Sequence, residues 1–542
     1  MDPERPESAI GRALLIATAW FLRSVERTTR WFARRVRRHV VSRVGGPARA
    51  RVVVLFAIIL GLNGADLSTI GAVAPQLKAS LHIHNTEIGL LSSVALLVGA
   101  VATLPLGLLV DRIKRIPILS LSIVLWSAAS LFSAFASSYG SLLLSRALLG
   151  AVVATAGPTI ASLTGDFFPA KERGRVWAYI LAGEIAGNAL GFIVGGTLSS
   201  AISWRAAFFV MALPGLWLAW VLYRTVPEPR RGGQSHLQPG AEEFVRRRAA
   251  DAGGDYATDP DEDDLARAAV NRRGVQAVPE RILGVDQRGM KIVPAVKYIL
   301  SIPTNLMMIF SSSLGYFYFA GLSTFALLFV EGHYHVGIAG AELFLGVLVL
   351  GGLIGTLISG RLTDLMLRRG MIDCRVWVPA ICYFAACVVL VPGLLSKHFS
   401  PAIWLDSLGA ALLLGANAPL NAARLDTMPA ALWGRAESTR TLIRSLAEAL
   451  APLLFGALGD LITGVLPSQA PIGTHPALRQ AASSAKGLEI AFLILLGTVL
   501  AAGVFLIRAR VTYPEDVATA AASDQANRPV AVEPAALRLT GA

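Results

Sequence analysis

Hydrophobic residues in this chain gather into long runs separated by short polar breaks, a pattern that the half-buried helices and strands of a water-soluble protein do not show. Runs of membrane length occupy Val52 to Gln76, Ile88 to Val110, Ile116 to Ser137, Leu142 to Leu163, Val176 to Leu198 and Ala206 to Tyr223. A second series occupies Asn305 to Val330, Ala339 to Leu362, Val376 to Leu395, Ala402 to Ala423, Thr439 to Ile462 and Leu488 to Ile507. Each approaches the ~20 apolar residues that a helix needs to cross a bilayer. A helix satisfies its own backbone hydrogen bonds in hydrocarbon. The pattern therefore predicts an all-α membrane protein of twelve transmembrane helices in two six-helix bundles.

The polar intervals divide the chain into five parts. In residues 1–51 the apolar stretch Ala9 to Leu22 holds only ~14 residues, too few to span, and includes Arg12. Arg23, Arg27, Arg30, Arg34, Arg35, Arg37 and Arg38 follow, interleaved with Trp31, Phe32, Val36 and Val40. This spacing predicts an amphipathic helix lying on the anionic lipids of the cytoplasmic leaflet. An acidic start without a small-residue cleavage site argues against a signal peptide. Residues 52–226 form the first bundle and 304–508 the second. Residues 227–303 are a cytoplasmic linker, polar and partly disordered from Pro227 to Gly289, with acidic Asp259, Asp261, Glu262, Asp263 and Asp264. Arg281 to Ile302 alternates apolar and basic residues as an interfacial helix would. Residues 509–542 are expected to be a cytoplasmic tail, with little structure after Thr512.

Composition agrees: of 542 residues 54% are hydrophobic and 16% charged, and a bilayer must be the solvent. The net charge of +13 lies mostly in short loops, not along one soluble face, which excludes nucleic acid as the partner. Arg112, Lys114, Arg115, Lys171, Arg173, Arg175, Arg361, Arg368, Arg369, Arg375, Arg435, Arg508 and Arg510 all fall on one side. By the positive-inside rule that side is the cytoplasm, with both termini inside and the cell (inner) membrane as the location. Cys374, Cys382 and Cys387 lack metal-ligand spacing and are expected as free thiols. Neither metal nor other cofactor is expected.

The halves repeat. Gly107-Leu-Leu-Val-Asp111-Arg112-Ile-Lys-Arg115 closes the second span and Gly360-Arg-Leu-Thr-Asp364-Leu-Met-Leu-Arg368-Arg369 the eighth, 253 residues later (364 − 111). Asp166-Phe-Phe-Pro169-Ala170 with Gly174-Arg175 matches Asp426-Thr-Met-Pro429-Ala430 with Gly434-Arg435, 260 residues later (426 − 166). Parallel repeats of this kind place a solute site between the halves near the midplane. The first loop motif, Arg146 within Leu144-Ser-Arg-Ala-Leu-Leu-Gly150, and Phe168-Pro169 followed by Glu172-Arg173 together resemble the major facilitator superfamily from about Val52 to Ile507. Asn63-Gly-Ala-Asp66, Pro75 and the run Ala341 to Asp364 resemble its spinster-like lipid transporters. Leu67 and Val153 stand where that group carries Arg and Glu.

The resemblance implies cytoplasmic latches. Asp111 would meet the start of the eleventh helix at Ser438 to Arg440, and Asp364 the start of the fifth near Gly174 and Arg175, where helix N-termini favour carboxylates. Gly107, Asp111, Arg112, Arg115, Asp166, Arg173, Arg175, Gly360, Asp364, Arg368, Arg369, Arg435 and Arg440 form the expected gate. The plainer alternative is that these charges only set topology.

Ionisable groups within spans are costly and are functional candidates. Asp66 and Arg146 are expected at similar depth. Either Asp66 binds a proton whose hold Arg146 tunes, or the two form a static pair. Glu184 and Asn188 share a face of the fifth helix, and the repeat offset relates Glu184 to Arg444 (184 + 260). Glu184 joins Asp66 and Arg146 as a proton-coupling candidate. Asn63, Glu184, Asn188, Asn417, Asn421, Arg444 and Glu448 are the expected cavity residues, with Arg444 and Glu448 alternatively neutralising each other at i,i+4. Gly183, Gly187, Gly191 and Gly195 suit close helix packing. His82, His84, His333 and His335 are expected in outer loops, either sensing external pH or, more simply, as solvated loop residues.

These features predict a monomeric alternating-access transporter, with a small-molecule substrate and protons as its partners. It would export or flip an amphipathic or hydrophobic molecule. Proton-coupled import of a small organic anion held by Arg146 and Arg444, or a non-transporting membrane sensor or scaffold, are the alternatives. No nucleotide-binding loop or nucleophile–base pairing supports an enzyme.

Overall fold

A computed structural model describes residue 41 and residues 46–168, 170–229, 265–284, 290–429, 432–465 and 476–526, with the side chains of 104–105, 107–112, 161, 165–166, 170–175, 177–178, 265, 268, 434 and 476–482 excepted. The expected surface helix before residue 41 and the acidic cluster at 259–264 lie outside the described residues. Among the described residues twelve helical spans are long and apolar enough to cross a membrane, and there is no strand. The first half holds α1 (Pro47–Leu81), α2 (Asn85–Arg112), α3 (Arg115–Ala134), α4 (Tyr139–Val153) and α5 (Ala156–Phe167) as one broken span, α6 (Ala170–Ala201) and α7 (Trp204–Thr225). In the linker lie α8 (Leu265–Arg273) and α9 (Ile292–Ser301). The second half holds α10 (Pro303–Tyr334), α11 (Ile338–Arg368), α12 (Cys374–Leu395), the broken span α13 (Phe399–Gly415) and α14 (Asn417–Asp426), α15 (Trp433–Val465) and α16 (Pro476–Ala526).

The duplication is visible in the backbone. α1 and α10 each end on a histidine in the left-handed region, His82 and His335, both at φ 53° and 253 residues apart (335 − 82); residues with side chains rarely adopt that conformation. The fourth and tenth spans break at matching places, after Val153 and Gly415. Between the halves, α2 packs along α15, α6 along α11, and α1 faces α10. A pseudo-twofold axis exchanges the first two contacts and maps the third onto itself. Large apolar side chains point outward, among them Trp217, Trp220, Val388 and Trp404, as lipid solvation allows.

Packing across α1 and α6 explains the glycine row. A β-carbon at Gly187 would strike the Gly61 backbone, one at Gly183 the Ala57 backbone, and one at Gly191 the Ala65 backbone and Ser68 Oγ. Side chains at these positions would force the helices apart.

Two expectations are corrected, one in the C-terminal tail and one in the linker. The tail after residue 508 is helical as far as Ala526, because Tyr513, Val517 and Ala520 recur at helical spacing and are buried. Its polar face is bound by the linker: Arg267 pairs with Asp524 at 2.8 Å, and Val278 N donates to Thr519 Oγ1 at 3.0 Å. Asp516 accepts from Thr304 N at 3.0 Å and pairs with Arg281 at 3.1 Å. The interfacial helix expected over Arg281 to Ile302 is shorter, comprising only Ile292–Ser301 after a single turn of 3-10 helix at Pro279–Arg281.

Candidate functional site

Asp66 on α1 and Arg146 on α4 meet inside the first half. Arg146 Nη1 lies 3.1 Å from Asp66 Oδ2, and each side chain is 1% exposed. Ser130 Oγ of α3 donates to Asp66 Oδ1 at 2.6 Å, and Arg146 Nη2 donates to Ser133 Oγ at 2.6 Å. The guanidinium sits 4.6 Å from the centre of the Phe208 ring on α7. Four helices thus converge on one ion pair, in which each charge stabilises the other where water does not reach. Arg146 is occupied here by Asp66 and Ser133, which withdraws it from the groups expected to hold a solute anion.

A second cluster joins the two halves and is partly open. Arg444 Nε on α15 lies 3.6 Å from Glu448 Oε1, with side chains 22% and 17% exposed, so the expected i,i+4 neutralisation is present. The Arg444 guanidinium also stacks 4.4 Å from the centre of the Tyr316 ring on α10. From the other half, Glu184 on α6 lies within electrostatic range of both Arg444 and Glu448. Asn188, one turn along, places Oδ1 over Gly64 of α1, and its carbonyl accepts from Ser68 Oγ at 3.0 Å. Asn63 Oδ1 is buried without a hydrogen-bond partner. Asn417 is half-buried and Asn421 exposed.

Three contributors escaped the sequence reading: Tyr316, Arg424 and Glu437. Arg424 is 9% exposed, and its Nε and Nη1 find no hydrogen-bond partner, although Nη1 is 3.9 Å from Glu437. Glu437 itself is held by Arg440. Arg424 follows Asn417 by two helical turns, and that spacing was its only signal.

The gate residues divide. The side chains of Asp111, Arg112, Asp166, Arg173 and Arg175, and the surroundings of Gly107, lie outside the description. Arg115 is bound within its own half: Nε is 3.2 Å from Glu228 Oε1, Nη1 donates to Ser162 Oγ at 2.9 Å, and Glu228 also accepts from the first amides of α3. A carboxylate at a helix N-terminus is favourable there too. Asp364 is expected near Gly174 and Arg175, where the side chains lie outside the description. Asp364 is more than half exposed and pairs at 3.5 Å with Arg375, which also binds both oxygens of Asp426 at 2.7 and 2.8 Å. Gly360 packs against Ala418; Arg368 and Arg369 are exposed, Arg435 is half-buried, and Arg440 is buried.

At the opposite ends of the spans the halves are clasped. Asp460 on α15 accepts from Asn85 N at 3.1 Å and from Thr86 N and Oγ1 at 2.6 Å each. Lys78 Nζ donates to Ser484 Oγ at 2.9 Å, and Thr197 Oγ1 donates to Glu342 Oε1 at 3.2 Å. His333, far from a solvated loop residue, uses Nδ1 toward Glu489 at 3.2 Å and Nε2 toward the Ser396 carbonyl at 2.9 Å.

Comparison with known proteins agrees with this architecture. The family model of the Major Facilitator Superfamily matches residues 56–452. Protein spinster homolog 1 of Xenopus laevis is 31% identical over 184 residues, 33% of this chain and 35% of that protein. The 4-hydroxybenzoate transporter PcaK of Pseudomonas aeruginosa is 29% identical over 185 residues, 34% of this chain and 41% of that protein. The chain thus matches about two fifths or less of the length of these relatives. The crystal structure of a bacterial homologue of the human lysosomal transporter spinster, inward-facing and occupied, superposes with a TM-score of 0.67 at 20% identity, covering 87% of this chain and 98% of that one.

Proposed function

Because the chain belongs to the Major Facilitator Superfamily, we propose that it is a transporter of spinster type, not an enzyme, which exports or flips an amphipathic small molecule bearing an anionic group, driven by protons. In this reading it acts as a monomer in the cell's inner membrane, by alternating access about the pseudo-twofold axis. The observation that carries the reading is Arg444. Its guanidinium stands at the junction of the halves, stacked on Tyr316, with Nε buried, 3.6 Å from Glu448 and without a hydrogen-bond partner. An anion there would gain charge-assisted hydrogen bonds that the protein leaves unmade. Arg424 adds two further unbonded nitrogens. Asp66, with Arg146, is the proposed proton carrier, and Glu184 answers Arg444 when solute is absent.

The second reading, import of a small organic anion, has support in the name of the 4-hydroxybenzoate transporter. Equilibrium binding of a single-chain phospholipid and of 4-hydroxybenzoate separates the two. Phospholipid binding weakened at least about tenfold by Arg444→Gln, the order of one charge-assisted hydrogen bond, is the expected result. Tight binding of 4-hydroxybenzoate alone would favour the second reading, and equal phospholipid affinity in the variant would remove Arg444 from the site.

A further inference from the structure

The repeat offset that relates Glu184 to Arg444 also relates Arg146 to Asp406 (406 − 146 = 260). Each stands seven residues into its helix, α4 or α13, about 10 Å along it. The two positions hold opposite chemistry. Arg146 is neutralised by Asp66, whereas Asp406 is 3% exposed and its Oδ1 has no hydrogen-bond partner. Among the described residues no Lys, Arg or His pairs with it. Oδ1 abuts the Gly393 backbone of α12, where no side chain would fit.

The groups around Asp406 do not supply a compensating positive charge. On α10, Tyr318 is fully buried with an unbonded hydroxyl, and Tyr334 Oη donates to the Gly393 carbonyl at 3.3 Å. His333 is the one nearby base whose charge reaches Asp406, but it is committed to Glu489 of α16, which Lys486 also binds. Cys387 of α12 lies within electrostatic range of Tyr318. A carboxylate only 3% exposed, with Oδ1 unbonded and no described cation paired to it, is costly in an apolar span.

We propose that Asp406 is a proton-binding site of the second half, exchanging its proton through the end of the bundle that carries His333 and Glu489. It would complement Asp66, the first half's site; this deepens the proton-driven reading and rests on it for its role in transport. Proton binding itself can be read without solute. The acid-minus-alkaline infrared difference spectrum of the reconstituted full chain should contain a protonated-carboxyl band from Asp406. That band should vanish in Asp406→Asn, persist in Asp66→Asn and reappear, shifted, in Asp406→Glu. A spectrum without the band in the wild type, or with the same band in a folded Asp406→Asn protein, would overturn the proposal. Absence of solute-driven proton flux in liposomes with the band intact would instead refute the coupled-transport reading and leave the site standing.

Discussion

Asp66 and Arg146 depend on one another, and that dependence has a measurable size. Asp66→Asn removes the counter-charge of a guanidinium that is 1% exposed, and stranding one member of a buried pair typically costs about 3–5 kcal/mol. Thermal unfolding in detergent should show a large loss for Asp66→Asn and a markedly smaller one for Asp66→Asn combined with Arg146→Gln; equal losses would mean that Arg146 is solvated. The sequence placed these two at one depth because helical rise converts residue number into distance, and their meeting followed. It did not reveal Ser130, Ser133 or Phe208 around them. Which side of a helix faces a partner depends on helix rotation, and in an apolar span nearly every position is hydrophobic. Arg424 and Tyr316 were hidden for the same reason, and Asp406 became conspicuous only when its missing partner was seen.

At the scale of elements, runs of apolar residues were enough to locate all twelve spans, because membrane thickness fixes helix length. The glycine row on α6 was legible as a packing surface, but not its partner, which proved to be α1. A β-carbon at Gly187 would press on backbone, which cannot rotate away as a side chain can. Gly187→Ala is therefore expected to destabilise the first half by about 1–3 kcal/mol, whereas Gly497→Ala, which meets nothing within 4 Å, should not. Matching melting temperatures for the two variants would contradict the packing. The extension of α16 was missed because its alanines and scattered charges read as a solvated tail. Its order comes from Arg267, Arg281 and Val278, contacts at long range that no local pattern announces.

For the whole molecule, alternating access requires that the clasp between the halves be reversible. Asp460 alone receives three hydrogen bonds from the first two residues of α2. Asp460→Ala should favour opening at this end, raising thiol labelling of a cysteine placed at Ser93 in a background lacking the three native cysteines; unchanged labelling would show that other contacts hold the end shut. The central claim is coupled transport, and proton movement in liposomes tests it most directly, with solute classes added in turn to wild type, Asp66→Asn and the charge-free double variant. Proton flux that appears with an anionic amphiphile in the wild type and is lost in both variants is the predicted result. Undiminished flux in the variants would contradict coupling through Asp66, and the absence of solute-dependent flux from the wild type with every class would contradict proton-coupled transport itself.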